Sequence, residues 1–562
     1  MNLYDHIKQL HQAELYGDLK HLSSFVLSLC DNSAEVEVLS LPQKYQCLVH
    51  FGDALYHTEE FKKAESIFRK SLLLKKAINK SKGKCSGSTD VISEVDVKFK
   101  LYQCLFQQKQ NTEALNVLES INTKQRTAKI NLALAKLYLR DGRDRSAMTC
   151  YKEVVREHPL ALEAAVGLLT LGMKGADVAS LIMNSLPHGT SCEWLSSWIK
   201  GHAYLSSKEY SNAVQTFKHM ETKTCLKDNV QLLNCVGEAR FYDGQYNQAM
   251  AVFQRVHALD PLVLKNMDLY AFLLKREKKF KELQGLAQQL MCISDGATEP
   301  WVAMGYYSLM CITKPKERAA RAVYFAQKAY QIDPRSIQAL ILKGTALLEL
   351  KKIQDATLHF LEAVRLAPHR FEAYNGLIEC YLSNNKIKDA LSLCLRSAGR
   401  MIRTHGNSAR TFTLYASVLS KDPNMISKAK PYLEKAMKMD PSSLDPVYNM
   451  CEILAQEQQH DRGIELLQKQ LESHSTGRLH QLLGDFLAQT NRIQEAMDQY
   501  IITITMEPLN VKAREGIERL EKDNDMGLEG GYDVEVEMGG SDNDADFEGS
   551  DMESTWSETD FS

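Results

Sequence analysis

No apolar run in the chain approaches the roughly 18 residues that a membrane helix needs, so no membrane span is expected. The amino terminus, MNLYDHIKQLHQ, is polar and lacks the apolar centre of a signal peptide, which predicts a protein that is not secreted. Thirteen cysteines are present, yet none lies two or three residues from another. That removes CxxC zinc spacing and any dense disulfide framework, leaving free thiols in an intracellular, reducing compartment as the expectation. Phosphate-loop, GxGxxG, HExxH and nucleophile-elbow patterns are missing as well. The sixteen histidines are dispersed. His188 and Cys192 share the loop HGTSC, but no third partner is evident there. No catalysis, cofactor, metal or small-molecule substrate is therefore expected, and the chain does not read as an enzyme. Strong charge of one sign is also lacking overall, with a net charge of −3, but the balance is uneven. Residues 523–562 carry fourteen Asp or Glu and no Lys or Arg, which leaves 57 acids against 68 bases in residues 1–522. The basic excess is spread too thinly for a nucleic-acid footprint, so no nucleic-acid partner is expected.

What the chain does have is a period. In LILKGTALLELKKIQDATLHFLEAVRLAP, Leu340, Gly344 and Leu347 share one helix face, and Ala356, Phe360 and Ala363 share another. Gly344 and Ala356 are small where two antiparallel helices must come close, Phe360 is a large knob for the joint, and Pro368 stops the second helix. The same spacing returns at Gly52, Ala64 and Phe68, at Gly201, Ala213 and Phe217, and at Gly237, Ala249, Phe253 and Pro261. It returns again at Gly484, Ala496, Tyr500 and Pro508, while Ala135, Ala147, Tyr151 and Pro159 form a variant with Ala in place of Gly. This is the tetratricopeptide repeat (TPR) pattern, with a period of about 34 residues. It predicts an all-α solenoid of helix pairs wound as a right-handed superhelix, with the repeats consuming the chain and leaving no stretch long enough for a catalytic domain.

In chain order, residues 1–41 read as a helical lead-in without the small-residue signature, and 42–78 as the first TPR. Residues 79–93, rich in Ser, Gly and Lys, read as a flexible linker. Residues 94–192 hold further TPRs, including a degenerate one where Gly167, Gly172, Gly175 and Gly189 crowd together. The main array spans 193–508, with a lengthened internal turn at 312–317. A capping helix follows at 509–522. The acidic tail, 523–562, has too little apolar surface to offset its ordering entropy and is expected to be disordered. Within it, Ser541, Ser550 and Ser557 each have an acid three residues on, the pattern that acidophilic kinases favour.

A TPR array offers a concave groove lined by its first helices. The residues expected to face that groove are Gln338, Ile341 and Thr345 in one repeat and Glu372, Asn375 and Glu379 in the next. At the positions where co-chaperone TPR domains clamp a carboxylate, the first repeat has Val49 and Asp53, and an acid there would repel such a ligand.

Longer strings go beyond generic repeat positions: MNLYDHI, HLSSFVLSL, LPQKYQCLV, RTAKINLALAKLY, PLALEAAVGLL, KGADVASL, HRFEAYNGLIECYL and LHQLLGDFLAQTNRIQEAMDQY, with the acidic tail. On these the chain resembles, over nearly its full length, the subunit 7 family of TPR scaffolds in the anaphase-promoting complex/cyclosome, a ubiquitin ligase of the cell cycle. The resemblance implies a scaffold without activity of its own in mitosis and cell division, in nucleus and cytoplasm. Its implied partners are itself, as a homodimer through N-terminal repeats, and the other TPR subunits of that complex. Ubiquitin conjugation would be left to cullin and RING subunits. The turn at 312–317 and the linker at 79–93 depart from the family. A TPR adaptor of another assembly, a chaperone or transport complex, is the alternative, and Asp53 weighs against its chaperone form.

Overall fold

Phe360 shows how the repeats are held together. A methyl group added to Gly344 would stand 2.7 Å from its Cζ, and one added to Gly376 would meet the ring closer still. The ring, 1% exposed, therefore fills space that glycine leaves on two successive first helices, Ile337–Glu349 and Phe371–Ser383. Burying such a side chain stabilises by about 1.5–3 kcal/mol, and it joins one repeat to the next. The same seat recurs at Gly52 under Phe68, Gly201 under Phe217 and Gly237 under Phe253. Tyr151, whose repeat has Ala135 in the glycine place, has Gly167 of the following first helix against its ring.

The computed structural model describes the chain except for residues 1, 33–38, 82–91, 188–191, 224–225, 312–313, 385–387, 390–391, 394–395, 397–408, 422, 442, 509 and 527–562. Most of the expected linker, His188 of the HGTSC loop, and the tail with Ser541, Ser550 and Ser557 lie outside the described residues. Within them the chain is all helix, with no strand.

Two units are compact in themselves, residues 1–418 and 419–562. The first begins with the pair Leu3–Gln12 and Tyr16–Asn32, continues through Leu41–His57 and Phe61–Ser81, and repeats this antiparallel pairing as far as Phe371–Ser383. The expected degenerate repeat is a short pair, Leu162–Thr170 and Gly175–Ser185. Three of its glycines have packing or turn roles. Gly167 seats Tyr151, Gly175 lets Ala203 approach, and Gly172 turns the chain at φ +90°. Pro315 opens the helix Pro315–Ile332, so the last three residues of the 312–317 segment expected as turn belong to that helix. In the second unit, Tyr500 has Gly484 and Gly516 on its two sides, and its hydroxyl donates to Asp485 Oδ1 at 2.7 Å. The last described helix is Val511–Met526, which runs past residue 522.

One residue in most described turns between paired helices takes a left-handed conformation: Glu14, Glu59, Lys109, Gly142, Gly172, Lys208, Gly244, Lys278, Lys351, Gln458 and Asn491. Only three of these eleven are glycine, so the turn is imposed by the packing of the flanking helices more than by local preference. Lys278 carries the turn within LKREKKF, whose first three residues still belong to the preceding helix, Met267–Arg276.

Candidate functional site

Helices of repeats that are far apart in sequence meet inside the first unit. Tyr246, at the start of helix Tyr246–Leu259, donates its hydroxyl to Glu372 Oε1 at 2.8 Å across 126 positions of sequence. Glu372 also accepts from Arg370 Nε at 3.0 Å and from Arg410 Nη2 at 3.4 Å. Arg370 Nη2 donates to Gln338 Oε1 at 2.6 Å, and Gln338 Nε2 donates to the Tyr306 hydroxyl at 2.8 Å. A continuous polar chain thus runs from Tyr306 through Gln338, Arg370 and Glu372 to Tyr246.

Aromatic rings hold the cations. The Arg370 guanidinium lies 5.4 Å from the Phe241 ring centre and 5.3 Å from that of Tyr242. Arg410 stands 4.5 Å from the Tyr246 ring and 4.5 Å from Phe371, while Arg276 stands 4.3 Å from Tyr246. Guanidinium groups stack well on such faces because they are planar and weakly hydrated. Gly244 is required here, since a Cβ would come 2.5 Å from Arg410 Cδ.

The electrostatics follow from burial. Arg370 is 3% exposed. Its desolvation would lower the guanidinium pKa, but Glu372, Tyr242 and Asp268 outweigh it and the net shift is upward. Burial, with Glu299 adding to it, pushes the nearby Asp268 carboxyl up to about 6. Burial lowers Lys275, and the charges of Glu349 and Glu379 partly offset it. A buried ion pair with its remaining hydrogen bonds made is a specific fastening, because removing either partner strands a charge.

The six residues expected to face the groove divide accordingly. Gln338 and Glu372 are joined through Arg370, and both are occupied by the protein itself. Ile341 is buried in the hydrophobic core, and Thr345 donates back to Ile341 O at 2.8 Å within its own helix. Asn375 and Glu379 are exposed. Sequence reasoning missed Tyr242, Tyr246, Arg370 and Arg410. Tyr246 and Glu372 are 126 positions apart, so no local period links them. The one local hint was an Arg at the N-cap of Phe371–Ser383, where Ser, Thr, Asn or Asp is usual.

Val49 and Asp53, expected at the clamp positions, are not displayed either. Val49 is fully buried, and Asp53 is 7% exposed, bonded to His11 Nε2 at 3.0 Å and to Lys100 Nζ. Burial would raise the Asp53 carboxyl, but the bonds from His11 and Lys100 hold it below its usual range. The ten described cysteines are free, and burial pushes Cys47, Cys104, Cys235 and Cys451 up to about 12. Such thiols are poor nucleophiles.

Tetratricopeptide-repeat family models match residues 131–161 and 341–401. Among curated proteins, the chain is 39% identical to anaphase-promoting complex subunit 7 of Homo sapiens, covering 98% of each chain. It is 39% identical to the Mus musculus protein of the same name over 98% of each, and 27% identical to that of Arabidopsis thaliana over 92% of this chain and 94% of that one. Among solved structures, the APC/C hetero-tetramer Cut9-Hcn1 is similar in fold, with a TM-score of 0.56 at 15% identity, covering 92% of this chain and 95% of that one.

Proposed function

Since the chain belongs to the anaphase-promoting complex subunit 7 family, we propose that its repeats serve as a non-catalytic scaffold of that cell-cycle ubiquitin ligase. The observation that carries the reading is 39% identity over 98% of each chain. The protein is a TPR subunit that associates with other TPR subunits of the complex, and its relatives further off include anaphase-promoting complex subunits 3 and 8. A tagged pull-down from dividing cells tests this. Cullin, RING and TPR subunits are expected in near-stoichiometric amounts, and a catch dominated by chaperones or transport proteins would overturn it.

The finer reading is a homodimer through the N-terminal repeats. Helix Tyr16–Asn32 buries Leu19, Val26 and Leu27, yet leaves Phe25 69% and Leu29 50% exposed. Leu15 and Leu41 nearby are half exposed as well. Apolar side chains gathered at one end of a chain support self-association. Substituting Phe25→Glu with Leu29→Glu is expected to halve the mass in light scattering. An unchanged mass would sink the dimer while leaving the scaffold role untouched. The free thiols support placing the protein inside cells, in nucleus and cytoplasm, which fluorescence microscopy of the tagged chain would check.

A further inference from the structure

Helix Leu41–His57 presents His50 and Asp53 three residues apart, hence on one face, and the end of helix Leu3–Gln12 brings His11 against them. One nitrogen or oxygen from each of the three side chains lies within 4.8 Å of the others. The His11 and His50 rings are 4.2 Å apart between centres. We propose that His11, His50 and Asp53 bind a divalent transition-metal ion of the zinc class, and that the ion fastens the N-terminal helix to the first repeat.

Three observations support this. Two imidazoles and a carboxylate are the donor set such ions take, with metal–ligand bonds of about 2.0–2.2 Å and a fourth position left for water. The His11 Nε2–Asp53 Oδ2 separation, 3.0 Å, is already in the range of neighbouring ligands around such an ion. His50 is 8% exposed, and its Nδ1 is buried without a hydrogen-bond partner. A plain His11–Asp53 bond would account for two of the residues but not for a second imidazole held beside them with a nitrogen unused.

Lys100, on helix Glu94–Gln107 of the next repeat, sets the condition for binding. Its ammonium holds Asp53 Oδ2, the same oxygen that His11 reaches. An arriving dication must displace that ammonium, so lysine and metal are alternatives at one carboxylate. The site therefore has two fastened forms. In one, Asp53 ties the N-terminal helix to the second repeat through Lys100. In the other, the metal draws His11, His50 and Asp53 together and releases Lys100.

The competition gives the test its discriminating arm. Full-length protein stripped with a chelator is titrated with Co²⁺, whose visible bands report ligand type and geometry. Wild-type protein is expected to bind one equivalent without the thiolate-to-cobalt charge-transfer band that a cysteine site would give. His50→Gln is expected to weaken binding about tenfold or more, since loss of a supporting partner alone does that much. His11→Gln, at a more exposed position that the fold needs less, is expected to do the same with helicity unchanged. Lys100→Met removes the competing charge and is expected to tighten binding. Absence of a saturable Co²⁺ signal would overturn the proposal. So would a signal indifferent to both histidine substitutions, or one that Lys100→Met weakens.

Discussion

Gly285→Ala and Gly344→Ala make the same chemical change inside a helix and are expected to move stability in opposite directions. Gly285 lies on the exposed side of helix Phe280–Ile293, and a Cβ there meets nothing within 4 Å. Alanine at that place adds only helix preference, about 1 kcal/mol, and raises the unfolding midpoint. At Gly344 the same gain is opposed by a Cβ 2.7 Å from Phe360 Cζ and 2.8 Å from Cε2. The ring has no retreat, because its other side is closed by the helix carrying Gly376. Overpacking of this kind costs roughly 1–3 kcal/mol, so the net change is a loss of about 1 kcal/mol. Phe360→Leu opens the seat, and in that background Gly344→Ala should become harmless. Urea unfolding of the full chain followed by circular dichroism, on wild type, both single variants and the double, reads the coupling directly. A coupling of about 1 kcal/mol or more is expected. Additivity within about 0.3–0.5 kcal/mol, or a Gly344→Ala protein as stable as Gly285→Ala, would refute the argument that the ring is seated on glycine.

Glu372→Gln strands the buried Arg370 and is expected to cost about 3–5 kcal/mol, read as a fall in the urea midpoint. Tyr246→Phe removes a single hydrogen bond to the same carboxylate and should cost about 1 kcal/mol. His202, 9% exposed, has its imidazole lowered to about 4 by burial, with Lys265 adding to it. The unfolded chain then binds the proton first, so His202 contributes stability that is complete above about pH 6.5 and is lost as pH falls toward 4. His202→Leu is expected to flatten that part of the pH–stability curve by up to about 3 kcal/mol, and a curve parallel to wild type would exclude the assignment.

The repeats were legible because everything that makes them is local. Gly344, Ala356 and Phe360 stand within sixteen residues, and a helical period converts that spacing directly into contact. The second side of each seat was only half legible. Gly376 reads as the small residue of its own repeat, and its closeness to Phe360 emerges only once two repeats are stacked. Turn residues such as Lys351 and Gln458 carried no signal, since neither type prefers the left-handed region that packing gives it. In the groove, Gln338 and Glu372 were read as displayed because repeat geometry alone turns them inward. It could not say that Tyr246 would already be waiting for Glu372. The N-terminal cluster was half visible too. His50 and Asp53 share a face by spacing, but His11 joins them only through the docking of a helix that lacks the repeat signature.

A row of repeats that touch only their neighbours can unzip from either end, each pair letting go with little consequence for those further along. The bond between Tyr246 and Glu372 changes that behaviour for the stretch it spans. Fraying that begins near residue 410 soon meets a fastening whose other half is 126 positions earlier, and both halves must yield together. The same link closes a long loop, so it forms late in folding and, once formed, makes the enclosed repeats breathe as one block. A scaffold with such a crosspiece holds the spacing between distant docking points when load is placed on one of them, as a braced beam does and a row of loose hinges does not.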